Sequence, residues 1–181
     1  MKRQIFFKIL IAGDASVGKT TLVHRFIDGV FIDTTTMTLG VDFVLTQLDF
    51  EDTFCQLQLW DIGGQMRFRF MVDQFIHGAA GAILLFDITN MTSFVNIAKW
   101  VQILRIENPD LPIVLVGTKY DLEEFSMVGD YYARLTQKRF NMIDYIKTSS
   151  KIGLNVDKVF NTLVKEILNN SSKITNKNQI S

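Results

Sequence analysis

The eight residues Gly13-Asp14-Ala15-Ser16-Val17-Gly18-Lys19-Thr20 carry the spacing G-x-x-x-x-G-K-[ST]. That spacing suits a loop that wraps phosphate. Gly13 and Gly18 let the backbone curl until successive N–H groups face an anion. A helix opening at Lys19 adds the positive end of its dipole. The Lys19 ammonium can reach outer phosphates, and the Thr20 hydroxyl is a hard oxygen ligand of the kind Mg²⁺ takes. Asp14, Ala15, Ser16, Val17 and Thr21 fill the rest of the candidate phosphate site.

A second group, Gly117-Thr118-Lys119-Tyr120-Asp121, can read a base. The Asp121 carboxylate can accept both the ring N–H and the exocyclic amine of guanine. Adenine offers no such pair there and would leave a partly buried carboxylate unpaired. The Lys119 stem can lie along the base. Thr148-Ser149-Ser150-Lys151 can offer backbone contacts to the base oxygen; a helix-capping turn reads the same way. Phe31 can pack edge-on against a base, and a core phenylalanine fits equally well.

The third group is Trp60-Asp61-Ile62-Gly63-Gly64-Gln65. Asp61 stands where a carboxylate can hold a metal-bound water. Gly64 leaves a backbone N–H free to approach a terminal phosphate. Gln65 is neutral, both donor and acceptor, so it can orient an attacking water without being a strong base. A plain strand end with a Gly-Gly turn is the competing account. Upstream, the polar loop Asp33–Gly40 holds Thr34, Thr35, Thr36 and Thr38, and chemistry alone does not single one out. A long polar loop inside a compact domain is more often functional than idle.

These groups need a frame. Apolar runs at Ile5–Ala12, Val41–Leu48, Phe54–Trp60, Gly81–Asp87, Ile113–Val116 and Met142–Ile146 alternate with helical periodicity at Lys19–Ile27, Thr92–Arg105, Tyr131–Phe140 and Val156–Leu168. Short apolar strands alternating with helices predict an α/β fold: a mostly parallel six-stranded sheet with helices on both faces. Val41–Leu48 and Phe54–Trp60 are joined by too few residues for a parallel crossover. They predict a hairpin, hence one antiparallel strand at the edge. In the second of them Gln56, Gln58 and Trp60 share one face and Cys55, Leu57 and Leu59 the other. A tryptophan on the polar face points to a partner contact or to local packing. The stretch 169–181 is polar and aperiodic and reads as frayed. The expected organisation is one domain over 1–170 with a polar, disordered tail at 171–181.

Composition narrows the function. Lysine plus arginine number 19 and aspartate plus glutamate number 19, so no basic footprint for nucleic acid or for an anionic membrane is present. The single cysteine, Cys55, is expected inside a strand and suits a reducing compartment. No apolar run is long enough to span a bilayer, and the C-terminal residues hold no prenylatable cysteine.

The chain resembles the Ras superfamily, and most closely its Rab branch, over about residues 5–168. Thr38-Leu39-Gly40-Val41-Asp42-Phe43 is similar to the Rab form T-I-G-V-D-F, and Trp60–Arg69 to W-D-T-A-G-Q-E-R-F-R. The resemblance implies a P-loop NTPase fold and a small GTP-binding switch that hydrolyses GTP slowly with Mg²⁺. It selects Thr38, with Thr20 and Asp61, as Mg²⁺ ligands. It names Gln65, Lys19 and Thr38 as the catalytic set, and supports Phe31, Ser150 and Lys151 at the base. It also implies effector, exchange-factor and GTPase-activating partners acting through residues 31–45 and 60–77, with Phe43, Trp60 and Phe75 as an aromatic patch. Departures are Ile62 and Gly63 for Thr-Ala, Met66 for Glu, Thr118 for Asn, Ser150 for Ala, and Ala15 in the phosphate loop. Gly63 is expected to loosen the second switch. The Rab C-terminal cysteines have no counterpart. The expectation is therefore a cytoplasmic monomer without its own lipid anchor, reaching membranes only through a partner. Two other readings compete: a nucleotide-gated scaffold that hardly turns over, against which Gln65 counts, and a P-loop kinase or ATPase, against which T-K-x-D counts.

Overall fold

The computed structural model describes residues 3–32, 38, 40–50, 53–64 and 74–178, the last seven of these as backbone alone. Six strands form one sheet: β1 (Arg3–Gly13), β2 (Val41–Phe50), β3 (Thr53–Ile62), β4 (Gly81–Asp87), β5 (Ile113–Thr118) and β6 (Tyr145–Lys147). Their spatial order is β2-β3-β1-β4-β5-β6. Only β2 runs antiparallel, paired with β3 from Val41↔Ile62 to Phe50↔Thr53. The other pairings are parallel. This is the predicted architecture, with its antiparallel strand at the edge.

Every residue of β4 and β5 is buried. Central strands of a parallel sheet are covered on both faces, which is why they read as unbroken apolar runs. Helices among the described residues include α1 (Lys19–Asp28), α2 (Met91–Val95), α3 (Ile97–Leu104), α4 (Asp130–Arg139) and α5 (Val156–Asn178), with a 3-10 turn at Tyr120–Phe125. One core layer joins Phe7, Ile9, Ile11, Leu57 and Leu59 to Leu22 of α1 and Phe160 and Leu163 of α5. Between α1 and α5, Phe26 stacks on Phe160 with ring centroids 3.8 Å apart. The opposite layer packs Leu10, Leu84, Phe86 and Leu115 against Ile97, Trp100 and Leu104 of α3.

Two expectations change. The single helix read over Thr92–Arg105 is two, α2 and α3, which meet at Asn96; that residue stays right-handed, and its side chain reaches the site described below. And α5 runs on to Asn178, so most of the stretch read as a frayed tail continues the helix. Once a helix has nucleated against a core, each added residue gains a backbone hydrogen bond without a new nucleation cost; the apolar period marks where packing stops, not where the helix does. Among the described residues no helix is long and apolar enough to cross a membrane.

Candidate functional site

The loops that carry the candidate residues leave the carboxyl ends of β1, β3, β5 and β6. The chain passes from β1 to the β3 side of the sheet and then returns to β4 on the other side, so the crevice beside β1 is where an open α/β sheet takes ligands. Gly13 has φ +140°, and a Cβ there would stand 2.4 Å from the Leu85 carbonyl oxygen. Ser16 and Gly18 are left-handed, with φ +62° and +94°. The loop therefore folds tightly over the start of α1. Lys19 is buried, and its ammonium donates to the carbonyls of Gly13 (3.1 Å) and Asp14 (2.7 Å). Burial lowers its pKa to about 8, against the pull of Asp61 and Asp14. Gly64 presses on the same loop: a Cβ would lie 2.2 Å from the Asp14 carbonyl carbon and 2.3 Å from the Ala15 nitrogen.

Sequence reading missed what holds Asp14. Its carboxylate accepts from Trp100 Nε1 at 2.8 Å and from Asn96 Nδ2 at 2.6 Å, so α3 steadies the phosphate loop. The partners lie 82 and 86 residues away, and no local pattern announces such a pair.

Beside Lys19 three oxygens converge. Thr20 Oγ1 lies 2.8 Å from Thr38 Oγ1 and donates a short hydrogen bond to Asp61 Oδ2, and Thr38 Oγ1 is 3.4 Å from the same Oδ2. Asp61 is 5% exposed, and its Oδ1 is buried with no hydrogen-bond partner. Burial raises its pKa; the Thr20 hydroxyl, Lys19 and Thr38 pull the other way. A buried carboxylate with an unused oxygen, next to two hydroxyls, is a donor set that fits a small hard cation. Among the described residues no group of three His, Cys, Asp or Glu could hold a metal. A cation here would rely on hydroxyls, phosphate oxygens and water, as Mg²⁺ commonly does.

At the far end of the crevice Ser149 Oγ donates to Asp121 Oδ1 at 2.5 Å, aiming the carboxylate. Lys119 is left-handed (φ +61°), and its ammonium pairs with Asp87 Oδ2 at 2.6 Å. Asp87, at the end of β4, is a second residue that sequence reading passed over; its other oxygen is held by the Thr89 N–H and hydroxyl. Thr118, standing where the family pattern has asparagine, is buried. Its hydroxyl donates to the Val17 carbonyl at 2.7 Å and lies 3.0 Å from the Phe86 carbonyl. It thus ties the phosphate loop to β4 and to the base-reading turn. Thr118→Val keeps the shape and removes the donor. It is expected to cost about 1–2 kcal/mol in urea unfolding, with nucleotide affinity falling in parallel; an unchanged unfolding midpoint would show that the tie is not needed.

Ser150 and Lys151 lie on the turn after Ser149, and Thr21 on the first turn of α1. Phe31 is 39% exposed, which removes the core reading. Gln65, Met66 and the threonines at 34–36 lie outside the described residues. The aromatic group is assembled: Trp60 sits 5.5 Å from Phe43 and 5.8 Å from Phe75, ring to ring, with the Lys8 ammonium 4.2 Å from the Trp60 ring. The histidines make ordinary surface contacts, His24 with Asp28 and His77 with Glu107. Cys55 is a free thiol in the core.

A glycine-rich loop closing on a helix N-terminus, at the carboxyl edge of a mostly parallel sheet, defines a P-loop nucleotide-binding protein. The Ras family model matches residues 8–169, and the chain belongs to that family. It is 36% identical to the Ras-related protein RABD1 of Arabidopsis thaliana over 176 residues, 97% of this chain and 85% of the relative. It is 38% identical to the Ras-related protein Rab-10 of Diplobatis ommata over 169 residues, covering 91% and 82%. With the Ras-related protein Rab-1D of Dictyostelium discoideum it shares 36% over 174 residues, covering 96% and 85%. The chain is a Rab-like small GTP-binding switch protein and a GTPase.

Proposed function

We propose that the chain alternates between GTP- and GDP-bound forms with Mg²⁺ at Thr20, Thr38 and Asp61, hydrolyses GTP slowly, and presents Phe43, Trp60 and Phe75 to protein partners. The observation that carries this is the convergence of Thr20, Thr38 and Asp61 beside the buried Lys19. Lys19 and the N–H groups of residues 13–20 would hold the phosphates. Bound Mg²⁺ would neutralise charge developing on the phosphate oxygens. Asp121, aimed by Ser149, would select guanine, with the Lys119 stem beside the base. Gln65 would orient the attacking water.

No arginine of the phosphate loop is available to stabilise the transition state, since residues 13–20 contain none. Turnover should be about 10⁻⁴ to 10⁻² s⁻¹ without a partner. Single-turnover release of phosphate from GTP-loaded protein measures it. Gln65→Leu should slow that release about tenfold, because a misplaced water loses its near-attack geometry, while GTP affinity stays within a factor of about two. Turnover near 1 s⁻¹ in the unmodified protein, or an unaltered rate in the variant, would refute this assignment.

A further inference from the structure

Asp14 is held at both of its polar groups. Its carbonyl accepts from the Lys19 ammonium at 2.7 Å. Its carboxylate accepts from Trp100 Nε1 at 2.8 Å and from Asn96 Nδ2 at 2.6 Å. Hydrogen bonds this short to a carboxylate are of the strong, charge-assisted kind. The Asp14 backbone also fits closely against the chain that follows β3, since a Cβ on Gly64 would collide with the Asp14 carbonyl.

The two donors come from an element fixed in the core. Trp100 is fully buried, packed with Ile97 and Leu104 of α3 against Leu10, Leu84 and Phe86. A buried indole N–H needs an acceptor, and here it is aimed at Asp14. Asn96 departs from the local rule. Asn90, the residue before α2, caps that helix by accepting from the N–H groups of Thr92 and Ser93. Asn96 holds the same place before α3, yet its side chain makes no capping bond. Its amide goes to Asp14 instead, 82 residues away. A residue that forgoes its local role for a distant contact marks a functional constraint.

We infer that Asn96 and Trp100 are positioning residues for nucleotide: through Asp14 they fix the phosphate loop in the shape that presents Lys19 and the loop N–H groups to the outer phosphates. The inference rests on the proposed role of residues 13–20 in holding phosphates. Without the clamp the Asp14 peptide can turn, and the carbonyl that Lys19 uses turns with it. The carboxylate, released from α3, is then drawn towards the Lys19 ammonium, which it already favours in its charged form, and competes there with phosphate. Both effects fall on the outer phosphates. The base, met by Asp121 and Lys119 at the far end of the crevice, is spared.

The test measures GDP affinity with Mg²⁺ present in the unmodified full chain, Asn96→Ala, Trp100→Phe, Asp14→Ala and the two double variants with Asp14→Ala. The bound complexes are then compared by phosphorus and proton NMR. Trp100→Phe keeps a ring in the core and removes the donor. Asn96 is only half-buried, so Asn96→Ala decides the matter if the tryptophan variant does not fold. Each single substitution should weaken GDP about tenfold, the scale of one hydrogen bond to a charged group. The β-phosphorus resonance of bound GDP should move, while the guanine imino proton stays in place. In the Asp14→Ala background neither substitution should add anything, because the residue through which they act is gone. Unchanged GDP affinity would overturn the inference, and so would additive losses in the double variants. Movement of the imino proton without the β-phosphorus would overturn it too, making the clamp a support of the base site. If GDP bound to the unmodified protein keeps the β-phosphorus resonance of free GDP, the phosphate-loop reading itself fails, and this inference with it.

Discussion

Asp121→Asn is expected to weaken GTP and GDP binding about 10²- to 10⁴-fold and to turn the preference towards xanthine nucleotides. Guanine offers a ring N–H and an exocyclic amine, and each would donate to the carboxylate. Hydrogen bonds to a charged group contribute about 1.5–3 kcal/mol each, so the pair contributes about 3–6 kcal/mol. An asparagine amide keeps one acceptor but sets a donor against the exocyclic amine. Xanthine has a carbonyl at that position and would accept from it. Orientation should survive the change, because Ser149 Oγ donates to Asp121 Oδ1 and an amide oxygen can accept the same bond. Competition of GTP, XTP and ATP for protein loaded with labelled GDP gives the answer. Equal displacement by all three before the substitution, or a loss shared equally by guanine and xanthine nucleotides after it, would remove Asp121 from the base-reading role.

Lys19→Ala should weaken GTP about 10²- to 10³-fold, in the range found when one partner of a desolvated charge pair is truncated. Its effect on the nucleotide-free protein should be the reverse of what its burial suggests. The ammonium is buried and its pKa falls to about 8 because burial disfavours the charged form. A lysine whose folded pKa lies below its unfolded value makes folding less favourable at neutral pH, and that penalty fades as pH climbs from about 8 towards the ordinary value of 10.5. Alanine removes the penalty along with the two hydrogen bonds to Gly13 and Asp14. Unfolding of the nucleotide-free variant in urea at pH 7 should therefore show stability unchanged or raised. A loss above about 2 kcal/mol would identify Lys19 as a structural residue of the loop. Phosphate oxygens would supply a counter-charge that the Gly13 and Asp14 carbonyls replace only in part, and this is why affinity and stability should move apart.

Much of this was open to a reader of the sequence. The bounds of β4 follow from an unbroken apolar run at Gly81–Asp87, because a strand covered on both faces has no polar side to show. The hairpin follows from a connection too short for any crossover, and the phosphate loop, the base-reading turn and Asp61 from residue types whose spacing is local. Each of these signals lies within a few residues of chain, and backbone geometry over that range is dictated by neighbours in sequence. Other features have no local signature. The clamp of Asn96 and Trp100 on Asp14 joins residues more than eighty apart. Lys119 meets Asp87 only because β4 and β5 are adjacent and parallel. The extension of α5 to Asn178 owes nothing to the apolar period that marks its packed part. Gly63 shows the division most clearly. By sequence it is a residue with backbone freedom; by its contacts with Thr38 and Gly40 it is a residue without space. Composition and spacing pointed to the class of ligand and to the residues proposed to meet it, because those are properties of side chains and short loops. Which threonine meets Asp61 and what steadies the phosphate loop were decided by tertiary packing, which brings side-chain atoms far apart in sequence to hydrogen-bonding distance.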